Sequence, residues 1–302
     1  MLVIRGLSKT YPNGTKALND VSLEIPAGMF GLLGPNGAGK STLMRILATL
    51  QDADEGEARL GDIDVLHDKP AVRRTLGYLP QSFGFHPRAR ADRLLDHFAI
   101  LKGIHERPVR NDVTESLLRQ TNLWDVRRQR LGTFSGGMRQ RFGVAVALLA
   151  NPKLIIVDEP TAGLDPAERI RFLNLLSEIG QESVVILSTH IVEDVEELCS
   201  RMAIINRGEI LLEAEPLRAI DSLRGRIWRR AASRSEIPSL ETEVNLISTK
   251  LLSGRSIVRV LAESAPGPEY EPAEPDLEDV YFSVMAGHHT RAQFGAGTGA
   301  AS

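Results

Sequence analysis

The sequence is poor in cysteine and in long apolar runs, which disulfide-rich and membrane-spanning proteins need. It contains one cysteine, Cys199, which excludes an internal disulfide framework and fits a reducing compartment. Its longest apolar run, Val144 to Ala150, is far below the roughly 18 residues of a membrane-spanning helix. The chain opens on a strand pattern, without the apolar core and cleavage site of a secretory signal. We therefore expect a soluble, cytoplasmic chain, and any membrane spans it works with must come from other polypeptides.

The sequence also lacks an excess of basic charge. Its formal net charge is −3 and its pI is near 6.2, so its charge does not point to nucleic acid as a partner. Its 302 residues, 42% of them hydrophobic, are enough for one large α/β domain plus a smaller one.

A glycine-rich segment lies between a predicted strand, Met29 to Leu33, and a predicted helix, Ser41 to Leu50. The helical spacing puts Leu43, Ile46, Leu47 and Leu50 on one side. The segment matches the phosphate-loop pattern G-x-x-x-x-G-K-[ST]. Its residues are Gly34, Pro35, Asn36, Gly37, Ala38, Gly39, Lys40, Ser41 and Thr42.

The chemistry of a polyphosphate explains this spacing. Glycines let the backbone wrap closely around the anion, and the following helix adds its unpaired amides. Lys40 can reach the β- and γ-phosphates, and the Ser41 hydroxyl can ligate Mg²⁺. The alternative is a flexible turn that matches the pattern by chance, and the strand–loop–helix context argues against it.

Two polar residues outside the loop are candidate ligand contacts. Tyr11 lies in a turn before the phosphate loop, where its ring could either stack on a nucleotide base or pack on its own hairpin. Gln81 follows the predicted strand Leu76 to Pro80, at the sheet edge where α/β proteins bind ligands. Its amide could touch Mg²⁺ and a water, although alone it would pass for an ordinary loop residue.

A second glycine-flanked helix start is Ser135-Gly136-Gly137, with Ser135 as N-cap and a helix predicted to about Ala150. A plain helix cap would look the same. As an anion site, it implies either a second phosphate or a site completed by another molecule.

Two further predicted strands end in polar residues. Leu154 to Val157 is a buried parallel strand that delivers Asp158 and Glu159 to the carboxyl end of the sheet. Asp158 suits the shell of Mg²⁺, and Glu159 could orient a water. Asp165 is the predicted N-cap of the next helix, and the strand from Ser183 ends at His190, which should lie beside Asp158.

Beyond residue 222 the pattern changes. We predict strands at 227–231, 244–252 and 256–261, a helix near 236–242, an extended linker over 265–275 and a last helix over 276–286. Residues 287–302 are predicted to be disordered. Apolar residues that need a core here include Trp228, Val258, Leu277, Val280 and Phe282. We expect domains at 1–220 and 222–286.

These motifs, in this order, resemble the ATP-binding subunits of ABC transporters over residues 1–220. The family's motifs correspond to the Walker A loop at 34–42, the Q-loop at Gln81, the signature at 134–138, Walker B at 154–158, the D-loop at 163–165, the H-loop at His190 and the A-loop at Tyr11. Phe134 replaces the usual leucine. The resemblance implies a P-loop NTPase (ABC ATPase) core, which is α/β, with an antiparallel β subdomain, a helical insertion at about 84–140 and a small α+β C-terminal domain.

The resemblance also implies a mechanism with ATP and Mg²⁺. Two copies, or one copy and a related ATPase subunit, pack head to tail, and each ATP lies between Walker A of one chain and Ser135-Gly136-Gly137 of the other. Glu159 is the implied general base, His190 the γ-phosphate contact and Gln81 the sensor that couples ATP to an integral membrane permease on a separate chain. The subunit would lie on the inner face of the cell membrane.

The segment Pro275 to Tyr281 resembles the end of an extension found on bacterial exporter-type subunits. Three alternatives stay open at this point: a soluble ABC ATPase acting on DNA or the ribosome, a degenerate cassette, and an importer ATPase. Residues 82–105 are expected to contact the permease, with Phe83, Phe85 and Phe98 as candidates for an apolar contact. The alternative is that these rings form the core of the insertion, which fits Phe98 better than Phe83.

Overall fold

The computed structural model describes residues 1–81, 84–161, 164–179 and 183–287, whose strands form three sheets. The first sheet is antiparallel and close to the N-terminus. In spatial order its strands are β2 (Lys16–Ile25), β1 (Leu2–Thr10), β4 (Glu55–Leu60) and β5 (Ile63–Asp64). Alternating apolar residues of β1 and β2 are buried, as the sequence pattern predicts for a sheet with one face in the core.

The second sheet has six strands and places the predicted site residues. In spatial order they are β10 (Glu209–Ala214), β9 (Arg201–Asn206), β3 (Gly28–Leu33), β8 (Val184–Thr189), β7 (Leu154–Asp158) and β6 (Leu76–Leu79). All neighbouring pairs are parallel except β9 with β10. The carboxyl ends of β3, β6, β7 and β8 therefore meet at one edge.

Helices and the first sheet cover both faces of this central sheet. The helices before residue 200 are α1 (Lys40–Leu47), α2 (Lys69–Thr75), α3 (Ala91–Leu101), α4 (Arg107–Gln120), α5 (Gly136–Ala147), α6 (Pro166–Ile179) and α7 (Val192–Leu198). Helix α1 and the first sheet share one apolar cluster with β3, β7 and β8, while α6 and α7 cover the opposite face. Helices α3, α4 and α5 have their own core, which makes them the helical insertion.

The third sheet lies in the C-terminal part. It comprises β12 (Leu246–Leu252), β13 (Arg255–Leu261), β11 (Ile227–Ala232) and β14 (Glu271–Pro272), with helices α8 (Pro216–Asp221), α9 (Ile237–Glu243) and α10 (Leu277–Met285). Helix α10 packs on α7 and α8. Leu277 and Val280 are fully buried in the same cluster as Val195 of α7 and Leu187 of β8. The C-terminal part thus shares a core with one face of the central sheet.

Several element ends differ from the sequence-based predictions. Helix α1 ends at Leu47 because Thr49, at φ 61°, closes it with paired bonds from Thr49 and Leu50 back to Ile46 and Arg45. Leu50 therefore leaves the apolar side and is 63% exposed. Helix α5 ends at Ala147, short of the predicted end at Ala150.

Two prolines lie inside elements rather than between them. Pro108 is in the first turn of α4, where a missing N–H costs nothing. Pro272, predicted to lie in a linker, pairs with Trp228 at the edge of the third sheet, which tolerates a residue without an N–H.

One of the aromatic predictions is wrong. Phe282 is 37% exposed rather than part of a core. Phe85 and Phe98 are partly buried in the core of the insertion, with ring centroids 6.2 Å apart and Phe85 also 4.9 Å from Phe142. Phe83 is outside the described residues.

Candidate active site

The phosphate loop connects β3 to α1, as predicted. Gly37 and Gly39 have φ values of 80° and 110°, which side chains with a Cβ rarely adopt. A Cβ at Gly34 or Gly39 would also overlap a backbone carbonyl oxygen, of Ile205 or Ala17 respectively. The loop can therefore follow this tight path only with glycine at these positions.

Lys40 is the first residue of α1 and is 5% exposed. Its Nζ donates to the carbonyl oxygens of Gly34 and Pro35, at 2.6 and 3.2 Å. Burial lowers the pKa of Lys40, and the nearby Glu159 carboxylate opposes that shift. The loop thus surrounds a buried cation at the position where the phosphates of a nucleotide would place their charge.

The carboxyl ends of β7 and β8 bring three more predicted residues together. Asp158 and Glu159 are 4% and 5% exposed. One Glu159 oxygen lies 2.6 Å from Nδ1 of His190, and the other lies 3.6 Å from Nζ of Lys40. The Glu159 backbone has φ 50° and donates its N–H to the Ser188 carbonyl at 2.8 Å. Such a strained conformation persists only where its surroundings hold it.

A cavity of about 290 Å³ opens beside the phosphate loop, and Glu159 is the one residue of these three that lines it. Its predicted members are Tyr11, Gln81, Glu159 and all loop residues from Pro35 to Thr42. The Tyr11 hydroxyl bonds to Thr42 and Gln51, at 3.1 and 3.3 Å, and its pKa is lowered mainly by the Thr42 bond. The structure thus unites the nucleotide-facing half of the predicted site.

The comparisons with known proteins agree with this geometry. A family model described as ABC transporter matches residues 18–162. The YxlF protein of Bacillus subtilis, described as an uncharacterized ABC transporter ATP-binding protein, is 31% identical over 94% of this chain and 99% of its own length. The chain belongs to the ABC transporter ATP-binding proteins. It is therefore an ATPase of this family, whose members dimerise and work with separate membrane permeases.

Other relatives of this ABC ATPase are named for drug resistance or transport. The daunorubicin/doxorubicin resistance ATP-binding protein DrrA of Streptomyces peucetius is 33% identical over 85% of this chain and 83% of its own length. The probable multidrug ABC transporter ATP-binding protein YbhF of Escherichia coli is 29% identical over 96% of this chain, which spans 53% of YbhF.

Among solved structures, the dimeric ATP-binding cassette MJ0796 bound to ADP and Pi matches with a TM-score of 0.64 and 27% identity, over 71% of this chain and 98% of that one. Together with the described strand order, this match confirms the predicted ABC ATPase fold. Within the described residues of this ABC ATPase, no helix is long and apolar enough to cross a membrane.

The signature segment lies apart from this cavity. Ser135, Gly136, Gly137 and Asp165 are not among the residues that line it. Ser135 caps α5, with its hydroxyl oxygen accepting from the Met138 N–H at 3.1 Å. Asp165 likewise caps α6 through the Glu168 N–H at 2.8 Å. A Cβ at Gly137 would overlap the Glu168 carboxylate, so that the Glu168 side chain would have to shift.

Several residues that line or surround the site carry no recognisable sequence motif. Thr15 and Lys16, at the start of β2, line the cavity mouth, and their only signal is their place just after the Tyr11 turn. Gln140 of α5 donates its side-chain N–H to the Pro160 carbonyl at 3.0 Å. Thr161 and Asp194 are joined by a buried hydrogen bond of 2.6 Å. Their sequence separation leaves no local pattern to find.

Proposed function

We propose that this ABC ATPase powers export through a separately encoded permease and that two cassettes close head to tail on ATP. The observation that supports a hydrolytic role most directly is the contact of the buried Glu159 carboxylate with both Lys40 and His190 beside the phosphate loop. A degenerate cassette would have no need to keep three ionisable groups in register.

The chain's own groups account for each part of the reaction. The loop amides and Lys40 hold the β- and γ-phosphates, with Lys40 exchanging the carbonyls of Gly34 and Pro35 for phosphate oxygens. Glu159 accepts a proton from the water that attacks the γ-phosphorus. His190 orients Glu159 and contacts the γ-phosphate. The reaction forms the bond from the water oxygen to the γ-phosphorus and breaks the bond from that phosphorus to the β–γ bridging oxygen, which leaves with ADP.

The residues at this edge also fit Mg²⁺. One oxygen of Asp158 is buried and has no hydrogen-bond partner in the described part of the chain. Ser41 and Gln81 line the adjacent cavity. No three His, Cys, Asp or Glu side chains gather elsewhere in the described ranges to form a metal site. Asp158, Ser41 and Gln81 would hold the ion, which neutralises charge on the β- and γ-phosphates when bound.

We assign the remaining residues to the interface between two cassettes, to the adenine of ATP and to the permease signal. Ser135, Gly136, Gly137 and Asp165 of one cassette face the nucleotide of the other, as homodimer or with a related subunit, and the similarity to a dimeric cassette supports this arrangement. Tyr11 stacks on the adenine. Gln81 reports the nucleotide state to the permease.

Export is supported by the names of the relatives DrrA and YbhF. We place the protein peripherally on the inner face of the cell membrane, with residues 1–220 as nucleotide-binding domain, 222–286 as accessory domain and 287–302 as a tail outside them. The permease selects the substrate, so this chain does not determine it.

The test expresses the chain with a candidate multi-span permease and measures transport in inside-out vesicles. Daunorubicin is a reasonable first probe. We expect ATPase activity to sediment with membranes only when the permease is present, and ATP to drive uptake into these vesicles. ATP-driven uptake only into right-side-out vesicles would indicate import, and failure to associate with any membrane protein would favour the soluble ATPase.

A further inference from the structure

Asp194 is a buried carboxylate with no place in the reaction described above. It lies on α7, four residues after His190, and its side chain is 0% exposed. It does not line the nucleotide cavity. One oxygen accepts from the Thr161 hydroxyl at 2.6 Å, and the other accepts from Nε of Arg169 at 2.8 Å. Its charge is thus compensated by two donors from two other segments.

The first partner fixes the backbone that carries Glu159. Thr161 is 4% exposed and lies two residues after Glu159. The residue between them, Pro160, accepts from Gln140 at 3.0 Å, and the Glu159 N–H bonds to β8. Three successive residues are therefore held by three different elements: β8, α5 and α7. This explains how Glu159 keeps its positive φ.

The second partner fixes the helix that follows the D-loop. Arg169 lies in the first turn of α6, and its N–H bonds to the Asp165 carbonyl at 2.9 Å. A shift of α7 would therefore move the start of α6 and the Glu159 segment together. His190, which precedes α7, contacts Glu159 directly at 2.6 Å. The contacts form a closed ring through Glu159, His190, α7 and Thr161.

We propose that Asp194 is a positioning residue for ATP hydrolysis. It holds the base segment, the start of α6 and the His190 helix in one arrangement, so that Glu159 and His190 keep the separation the reaction needs. A small displacement of a catalytic group can reduce turnover by up to about 10²-fold without removing any reacting atom. The inference rests on the roles proposed above for Glu159 and His190.

The test uses two near-isosteric variants of the full chain. Asp194→Asn removes the charge that faces Arg169, and Thr161→Val removes only the hydroxyl. Each should lower kcat by about tenfold or more while KM for ATP changes by less than about threefold, because neither residue lines the cavity. Assays are run well below the thermal midpoint of each variant. If Asp194→Asn does not fold, Thr161→Val, which retains the ion pair, carries the test.

The matched control is Asp96→Asn, which removes an aspartate–arginine pair with Arg110 between α3 and α4 of the insertion. It should leave kcat within about twofold of the unmodified chain. Unchanged kcat in Thr161→Val, or an equal loss in Asp96→Asn, would make Asp194 a structural residue only and overturn the proposal. Glu159→Gln, assayed in parallel, separates the two ideas: if it turns over ATP normally, the base assignment fails, whatever Asp194→Asn does.

Discussion

Nζ of Lys40 and Oε1 of Glu159 face each other at 3.6 Å, and each side chain is 94% buried. Two opposite charges buried side by side compensate each other, and either one alone would be costly. ATP phosphates would take over Lys40 and so release one oxygen of Glu159. The pair would therefore couple nucleotide binding at the phosphate loop to the release of Glu159, the proposed general base.

The first prediction concerns Glu159→Gln. The amide cannot accept a proton from water, so hydrolysis should fall roughly 10²–10⁴-fold, the usual size of a general-base contribution. ATP binding should persist because the phosphate loop and Lys40 are unchanged, and the variant should accumulate as an ATP-bound dimer. Steady-state hydrolysis and size-exclusion chromatography with ATP measure the two effects.

The control for this variant is Glu196→Gln, the same chemical change at an exposed position on α7. It should hydrolyse ATP within about twofold of the unmodified chain, as expected for a surface substitution. Hydrolysis near normal in Glu159→Gln would remove Glu159 from the role of base.

The second prediction concerns sites shared between two copies. Lys40→Ala disables the phosphate loop, and Ser135→Arg blocks the signature helix start of the facing copy. Each variant alone has no complete site, but a mixed dimer has one. Mixing the two should therefore restore ATP-driven dimer formation and part of the hydrolysis. A mixture no more active than either parent would argue against head-to-tail sites, while leaving ATP binding by Lys40 intact.

The third prediction separates the ring of Tyr11 from its hydroxyl. If the ring stacks on adenine, Tyr11→Ala should weaken ATP binding by about 1–3 kcal/mol, the usual size of base stacking on an aromatic side chain. Tyr11→Phe keeps the ring and loses only the bonds to Thr42 and Gln51, so it should bind ATP nearly normally. The affinity for ATP relative to an adenine-free triphosphate distinguishes stacking from general loop damage. If Tyr11→Ala and Tyr11→Phe bind ATP with equal affinity, the Tyr11 ring does not stack on adenine and only packs on its own hairpin.

The sequence could predict those site residues whose positions depend on short, continuous segments of the chain. The glycines within residues 34–42 predict a tight loop. Asp158, Glu159 and His190 each come at the end of a largely apolar run, which predicts a buried strand. Parallel pairing of β7 and β8 then brings them together without further information.

Contacts between distant segments could not be predicted in this way. The bond between Thr161 and Asp194 spans 33 positions, and it depends on how α7 packs on the sheet. The same reason explains why Phe282 was wrongly assigned to a core. Spacing on α10 shows that one face is apolar, but which residues of that face are covered depends on α7 and α8.

The last prediction concerns the contact of α10 with α7. Val280 is fully buried in the cluster that contains Val195, whereas Phe282, two residues later on the same helix, is 37% exposed. Val280→Ala removes buried methyl groups and should lower the free energy of unfolding by about 1–3 kcal/mol. Phe282→Ala is the matched control and should cost less, although it removes the larger side chain. Denaturant unfolding measures both.

The same pair of variants tests whether α10 affects the active site. Helix α7 begins two residues after His190. Weaker packing of α10 on α7 in Val280→Ala should therefore displace His190 and reduce ATP turnover at temperatures where the chain is folded. Phe282→Ala should turn over ATP normally because Phe282 is not part of the shared apolar cluster and is partly exposed. A greater loss of stability in Phe282→Ala would contradict the described orientation of α10. If a folded but destabilised Val280→Ala turns over ATP normally, α10 only stabilises the cassette, because its contact with α7 would then have no effect on His190.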